Sequence, residues 1–181
     1  MKVLLAKRRL LVFLIFIAIF STAYSIGSET NLSEKDSKTF IKEFQEAVEG
    51  IDATGIFTHN VSVALPMFVP GFGVAWGSFA AWSTGVAFRA LVSSSPVLAK
   101  LPPLAVIYLS PFGIMELAAY SIGMSRSFLL INSILKRKPL RRELLQTGME
   151  VGIVLILLLA GGFIEYSMLK EFGSSLVHLK P

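Results

Sequence analysis

The chain has 181 residues, of which 54% are hydrophobic and 16% charged, and its mean hydropathy is +0.68. A soluble domain carries about 25% charge, and a disordered chain combines low hydrophobicity with high net charge. Both classes are excluded, and an all-α polytopic membrane bundle is expected. The net charge of +5 does not point to nucleic acid, because the bases cluster in two short blocks beside apolar runs; the absence of cysteine excludes disulfides and thiolate metal sites.

Residues 1–26 carry Lys2, Lys7, Arg8 and Arg9 ahead of the apolar run Leu10 to Ala23. A retained first transmembrane helix and a signal peptide cleaved after small residues near Ala23 and Ser25 both fit. The polytopic character of the rest of the chain favours the retained signal anchor. Residues 27–55 are polar, with seven acids against three bases. Ser33 and Asp36 have the spacing of a capping box, and Phe40, Phe44, Val48 and Ile51 recur at helical spacing. The pattern predicts an amphipathic helix of about 18 residues whose apolar stripe is a candidate docking surface.

A membrane span needs about 20 apolar residues. Residues 56–76 and 78–96 are expected to form the second and third spans. Pro66 and Pro70 lie in the second, and Gly73 and Gly77 have the spacing that lets membrane helices approach closely. A fourth span is expected over 104–125, interrupted at Ser110, Pro111, Phe112 and Gly113. Prolines and glycines at such positions read as helix breaks. Residues 126–148 form a polar loop in which five bases and one acid occur between Lys136 and Glu143, and 128–135 reads as an interfacial helix. The fifth span is placed at 149–169, completing a four-helix core over 56–169, and 170–181 is a tail.

Lys and Arg remain on the cytoplasmic side of a membrane. Five crossings put both basic blocks inside and the acidic segment 27–55 outside. The expectation is a multi-pass cell-membrane protein with a cytoplasmic N-terminus and an extracytoplasmic C-terminus.

Charged residues inside a bilayer cost at least about 2.5–3.5 kcal/mol and mark functional or structural sites. Arg89 falls near the middle of the third span and Glu116 near the middle of the fourth, so an Arg89–Glu116 pair is expected. His59, Asn60 and Glu165 form a second set, at matching depth nearer the outer surface. The sequence contains no HExxH, G-x-S-x-G, phosphate-binding loop or CxxC pattern. No catalytic residue is assigned, no enzymatic activity is expected, and no cofactor is implied. The two histidines, His59 and His178, do not make a metal site, since His178 is in the tail and there is no cysteine to join them.

Two blocks resemble the stage II sporulation protein M (SpoIIM) family. The first is Phe57-Thr58-His59-Asn60-Val61-Ser62-Val63-Ala64-Leu65, followed by the glycine-rich stretch from Gly71 to Gly77. The second is Pro111-Phe112-Gly113-Ile114-Met115-Glu116-Leu117-Ala118-Ala119. Glu165, in Phe163-Ile164-Glu165-Tyr166, is similar to a glutamate common in the family's last helix. Phe112 replaces a histidine usual in the family, which removes a titratable group beside Glu116. The resemblance implies five membrane helices and a non-enzymatic scaffold that recruits partners for cell-envelope or membrane remodelling at the extracytoplasmic face. The implied partners are the lipid bilayer, other membrane or extracytoplasmic proteins, and a second copy of the chain. A small transporter or channel using Arg89, Glu116 and Glu165 is the alternative.

Overall fold

The computed structural model describes residues 2–94 and 98–177, of which 2–6, 44, 47, 48, 94, 98 and 172–177 are described by their backbone alone. Its described residues form α-helices joined by short turns, with no strand among them. Helix α1 spans Lys2–Ser28 and α2 spans Glu34–Val48. Helix α3 covers Ala53–Ala64 and continues into a 3₁₀ turn at Leu65–Phe68. Helices α4 (Phe72–Ser94), α5 (Pro103–Leu109), α6 (Pro111–Leu135) and α7 (Leu140–Val177) follow, with a second 3₁₀ turn at Leu98–Lys100.

Among the described residues three helices are long and apolar enough to cross a membrane: Lys7–Ser28, Pro111–Leu135 and Leu140–Glu171. The expectation was five. Helix α3 has only 12 residues, because the chain tightens into the turn containing Pro66 and then turns at Gly71, whose φ is +79°. The prolines of the expected second span therefore lie between two helices rather than inside one. Helix α4 has the length, 23 residues, but Gly73, Gly77, Gly85, Ser78, Ser83, Thr84 and Arg89 dilute its apolarity.

Three other boundaries move. Residues 128–135 do not form a separate interfacial helix: no proline lies between Pro111 and Pro139, so α6 runs unbroken to Leu135. The loop expected over 126–148 shrinks to four residues, 136–139. There Arg137 adopts φ 50° and Pro139 prevents helical continuation. Helix α7 begins at Leu140, nine residues before the expected fifth span, and much of the expected tail continues it.

Local signals set the helix starts. The Ser33 hydroxyl accepts from the Asp36 amide at 3.1 Å and donates to the Asp36 carboxylate at 2.6 Å. Asp52 caps α3 by accepting from the Gly55 amide at 2.8 Å. Ser110 accepts from the Gly113 amide at 3.1 Å while donating to the Val106 carbonyl at 2.6 Å, so one hydroxyl closes α5 and opens α6.

The core runs the length of the bundle. Phe16, Phe20 and Tyr24 of α1 project inward one turn apart and meet Phe128, Tyr120 and Phe88 respectively, with ring centroids 5.8, 5.7 and 6.2 Å apart. This ladder fixes α1 antiparallel to α6. Glycines supply the closest approaches. A Cβ on Gly85 would lie 2.1 Å from the Tyr24 carbonyl oxygen, and one on Gly27 would lie 2.0 Å from that of Trp82, so α1 and α4 touch backbone to backbone. Gly73 is pressed against the Met67 backbone and Gly77 against the Met124 side chain. The outer surface carries Leu10, Leu145, Ile156 and Phe163, each more than half exposed. Apolar exposure on this scale suits lipid, not water.

Candidate functional site

Two polar clusters lie at opposite ends of the bundle. The first joins α3, α6 and α7. Asn60, 7% exposed, donates from Nδ2 to Glu116 Oε1 at 2.7 Å. Glu165 of α7 acts electrostatically on both Glu116 and Tyr120, which places the two carboxyls in one neighbourhood. Gly161 and Gly162 make this possible. A Cβ on Gly162 would lie 3.3 Å from the Phe57 nitrogen and 3.4 Å from the Ala53 carbonyl oxygen, while one on Gly161 would face Met115 and Phe112. Small residues thus bring α7 against both α3 and α6.

The structure brings Asn60, Glu116 and Glu165 together but leaves two expected members outside. His59 precedes Asn60 on α3 and is exposed, because adjacent helical residues point about 100° apart. Arg89 is also exposed, and among the described residues no hydrogen bond or ion pair joins it to Glu116. The expected Arg89–Glu116 pair is replaced by the Asn60–Glu116 bond, since the short α3 inserts its polar edge beside α6. His178 lies outside the described residues. Pro111 starts α6, and Gly113 packs beneath Ser110 and Ile107. Of the expected docking stripe, Phe40 and Ile51 are half-buried, while the side chains of Phe44 and Val48 lie outside the described residues.

The second cluster joins α1, α6 and α7 and was missed in the sequence. Glu150 sits between two guanidinium groups. Arg9 donates from Nε to Oε1 at 2.8 Å and from Nη2 to Oε2 at 3.0 Å. Arg126 donates from Nε to Oε2 at 2.8 Å and from Nη2 to Oε1 at 2.6 Å. Each carboxylate oxygen therefore accepts from both arginines, and both pairs are bidentate, the strongest geometry for such contacts. Arg126 Nη1 also donates to Glu143 Oε2 at 3.1 Å, and Arg9 Nη1 donates to Ser125 Oγ at 2.8 Å. Ser133 reaches Glu143 at 3.3 Å.

Two arginines and two glutamates balance in charge, and the Arg126 side chain is 3% exposed. A partly buried network of this kind, closed around a buried arginine, fixes helix register. The available signal was the continuous apolar pattern through residues 128–135. It carries α6 past Arg126 and leaves that arginine inside a long apolar helix, in need of a partner.

Other polar contacts tie the shorter helices to the frame. Trp76 Nε1 donates to the Val63 carbonyl at 2.9 Å, the Ser21 and Tyr108 hydroxyls are 2.7 Å apart, and Ser127 donates to the Val69 carbonyl at 2.6 Å. Among the described residues no group of three or more metal-ligating side chains converges. Neither the curated proteins nor the solved structures give a match to the chain. The family model described as Stage II sporulation protein M matches residues 10–166, which include Asn60, Glu116 and Glu165 of the first cluster and Arg126, Glu143 and Glu150 of the second, with Arg9 one residue before the match. The chain belongs to the SpoIIM family.

Proposed function

We propose that this protein is a multi-pass membrane scaffold that presents helix α2 at the extracytoplasmic face to recruit membrane or envelope partners. The observation that carries the reading is the contrast between the bundle and α2. Within the bundle, Glu150, Arg9, Arg126 and Glu116 are engaged by one another or by neighbouring side chains. That is what a rigid frame requires. Helix α2, by contrast, is a capped amphipathic segment, with an exposed face that includes Glu34, Lys38, Lys42 and Glu46.

Five crossings are part of this proposal: α1, α3 with its 3₁₀ turn, α4, α6 and α7. The supporting contacts are Ser127 to the Val69 carbonyl, 2.6 Å, and Gly71 against Ile131. They set the turn between α3 and α4 beside the last two turns of α6, close to the end rich in Lys and Arg.

The test is affinity purification of the tagged protein from its own membranes in mild detergent, alongside the Phe44→Asp, Val48→Asp variant. A stoichiometric co-purifying protein that is lost in the variant, while the variant stays folded, is the expected result. Retention of every partner by the variant would remove α2 from the recruiting role.

A second reading, a small transporter or channel, draws on the carboxyls of Glu116 and Glu165 gathered beside Asn60 and Tyr120. Buried acids on facing membrane helices can bind protons or cations. Proton flux in reconstituted vesicles that disappears in Glu116→Gln would favour it over the scaffold.

A further inference from the structure

Beside the Arg9, Glu150 and Arg126 network is a cleft of about 620 Å³, open at its mouth and formed by α1, the end of α6 and the start of α7. It lies where all three candidate spans begin or finish, at Lys7, Leu135 and Leu140, and therefore at headgroup depth in a bilayer. Its lining is divided. The exposed cations Arg8, Lys138 and Arg142 line the cleft, and so do the apolar side chains of Leu129, Met149 and Ile153.

The charges are unequal in their commitments. Glu143 and Glu150, the acids of the lining, already accept from Arg126 and Arg9. The inner guanidiniums are spent on these acids, so the wall of the cleft is close to neutral. Arg8, Lys138 and Arg142 are exposed, and among the described residues no carboxylate pairs with them. Three uncompensated cations thus share one volume with the apolar side chains of Leu129, Met149 and Ile153. A free inorganic anion would use the cations and leave the apolar side chains idle. A phosphate attached to acyl chains uses both.

We propose that this cleft binds the phosphate group of an anionic phospholipid, with Arg8, Lys138 and Arg142 around the headgroup and an acyl chain along Leu129, Met149 and Ile153. Basic recesses between membrane helices on the cytoplasmic side recognise such headgroups. A lipid held there joins α1 to the α6–α7 hairpin, across the same three helices that Glu150 links.

The proposal rests on the membrane-spanning reading. That reading fails separately, if alkaline carbonate washes release the full chain from membranes.

The test is native mass spectrometry of the detergent-purified full chain, titrated with phosphatidylglycerol, with phosphatidylcholine, and with inorganic phosphate. Phosphatidylglycerol is expected to bind at least tenfold more tightly than phosphatidylcholine. The variant Arg8→Gln, Lys138→Gln, Arg142→Gln is expected to lose at least tenfold of that affinity. The exposed single change Arg142→Glu shows the same direction should the triple variant accumulate poorly. Lys35→Gln, Lys38→Gln, Lys42→Gln, on α2, leaves binding within about twofold, since it removes equal charge far from the cleft. Equal binding of the two lipids, or full affinity in the triple variant, would overturn the proposal. Inorganic phosphate that matches and displaces phosphatidylglycerol would also overturn the lipid assignment, in favour of a soluble-anion site.

Discussion

Glu150→Gln is the sharpest probe of what holds helices α1, α6 and α7 in register. The substitution keeps the side chain's size and removes its charge. It replaces one of two acceptor oxygens with a donor that confronts two guanidiniums, where the wild-type carboxylate accepts four bonds of 2.6–3.0 Å. Arg126 is the more exacting partner. Its side chain is 3% exposed, against 24% for Arg9, so it cannot turn to water when the charge opposite disappears. Breaking a buried pair by removing one member costs about 3–5 kcal/mol. For a chain of this size that corresponds to roughly 6–20 °C in apparent melting temperature.

Arg9→Gln leaves the Arg126 pair intact and is expected to cost about 1.5–3 kcal/mol, the scale of a hydrogen bond to a charged group. Because Arg126 and Glu150 share one contact, Arg126→Gln combined with Glu150→Gln should be less damaging than the sum of the two, by about 1–3 kcal/mol. Thermal unfolding of the purified variants in one detergent, followed by loss of the monodisperse peak, gives these differences. A neutral Glu150→Gln, or strict additivity with Arg126→Gln, would refute the reasoning.

Other substitutions report on the helix contacts. Gly27→Ala and Gly85→Ala each place a methyl within 2.1 Å of a carbonyl oxygen on the facing helix, and each should cost about 1–3 kcal/mol. Gly152→Ala, with nothing within 4 Å, should be neutral or slightly stabilising in the same unfolding assay. Asn60→Ala removes the donor to Glu116 and is expected to lose about 1–3 kcal/mol, whereas Arg89→Gln, at an exposed position, should stay within about 0.5 kcal/mol. An equal loss for Arg89→Gln in that assay would restore Arg89 as a structural partner.

The sequence made the membrane class, the helical content and the α2 start legible, because each depends on local composition. Ser33 and Asp36 announce a cap through a spacing of three residues. Glu116 and Asn60 stood out as polar groups within apolar runs, yet their pairing did not. Arg89 and Glu116 occupy corresponding depths on consecutive predicted spans, and depth alone cannot say which face of a helix a side chain occupies. The exchange of partner depended on α3 being only 12 residues long and on Gly162 admitting α7 against it. Both are tertiary facts.

The Glu150 network was hidden for a different reason. Ending the fourth span at residue 125 assigned Arg126 to a loop, where an arginine needs no partner. The positive φ of Arg137 and the position of Pro139 put the turn some ten residues later. Arg9, at the edge of the N-terminal basic block, read as a topology signal alone, although it also joins the network.

The most direct test of the five-pass scaffold is the side of the membrane on which the turn between α3 and α4 lies. The chain contains no cysteine, so single substitutions Lys42→Cys, Pro70→Cys and Lys138→Cys can each be challenged with a membrane-impermeant maleimide. Five crossings predict that Lys42→Cys labels in intact cells, while Pro70→Cys and Lys138→Cys label only after permeabilisation. If only α1, α6 and α7 crossed, residue 70 would lie on the same side as residue 42. Labelling of Pro70→Cys in intact cells would therefore contradict the five-pass frame on which the presentation of α2 depends.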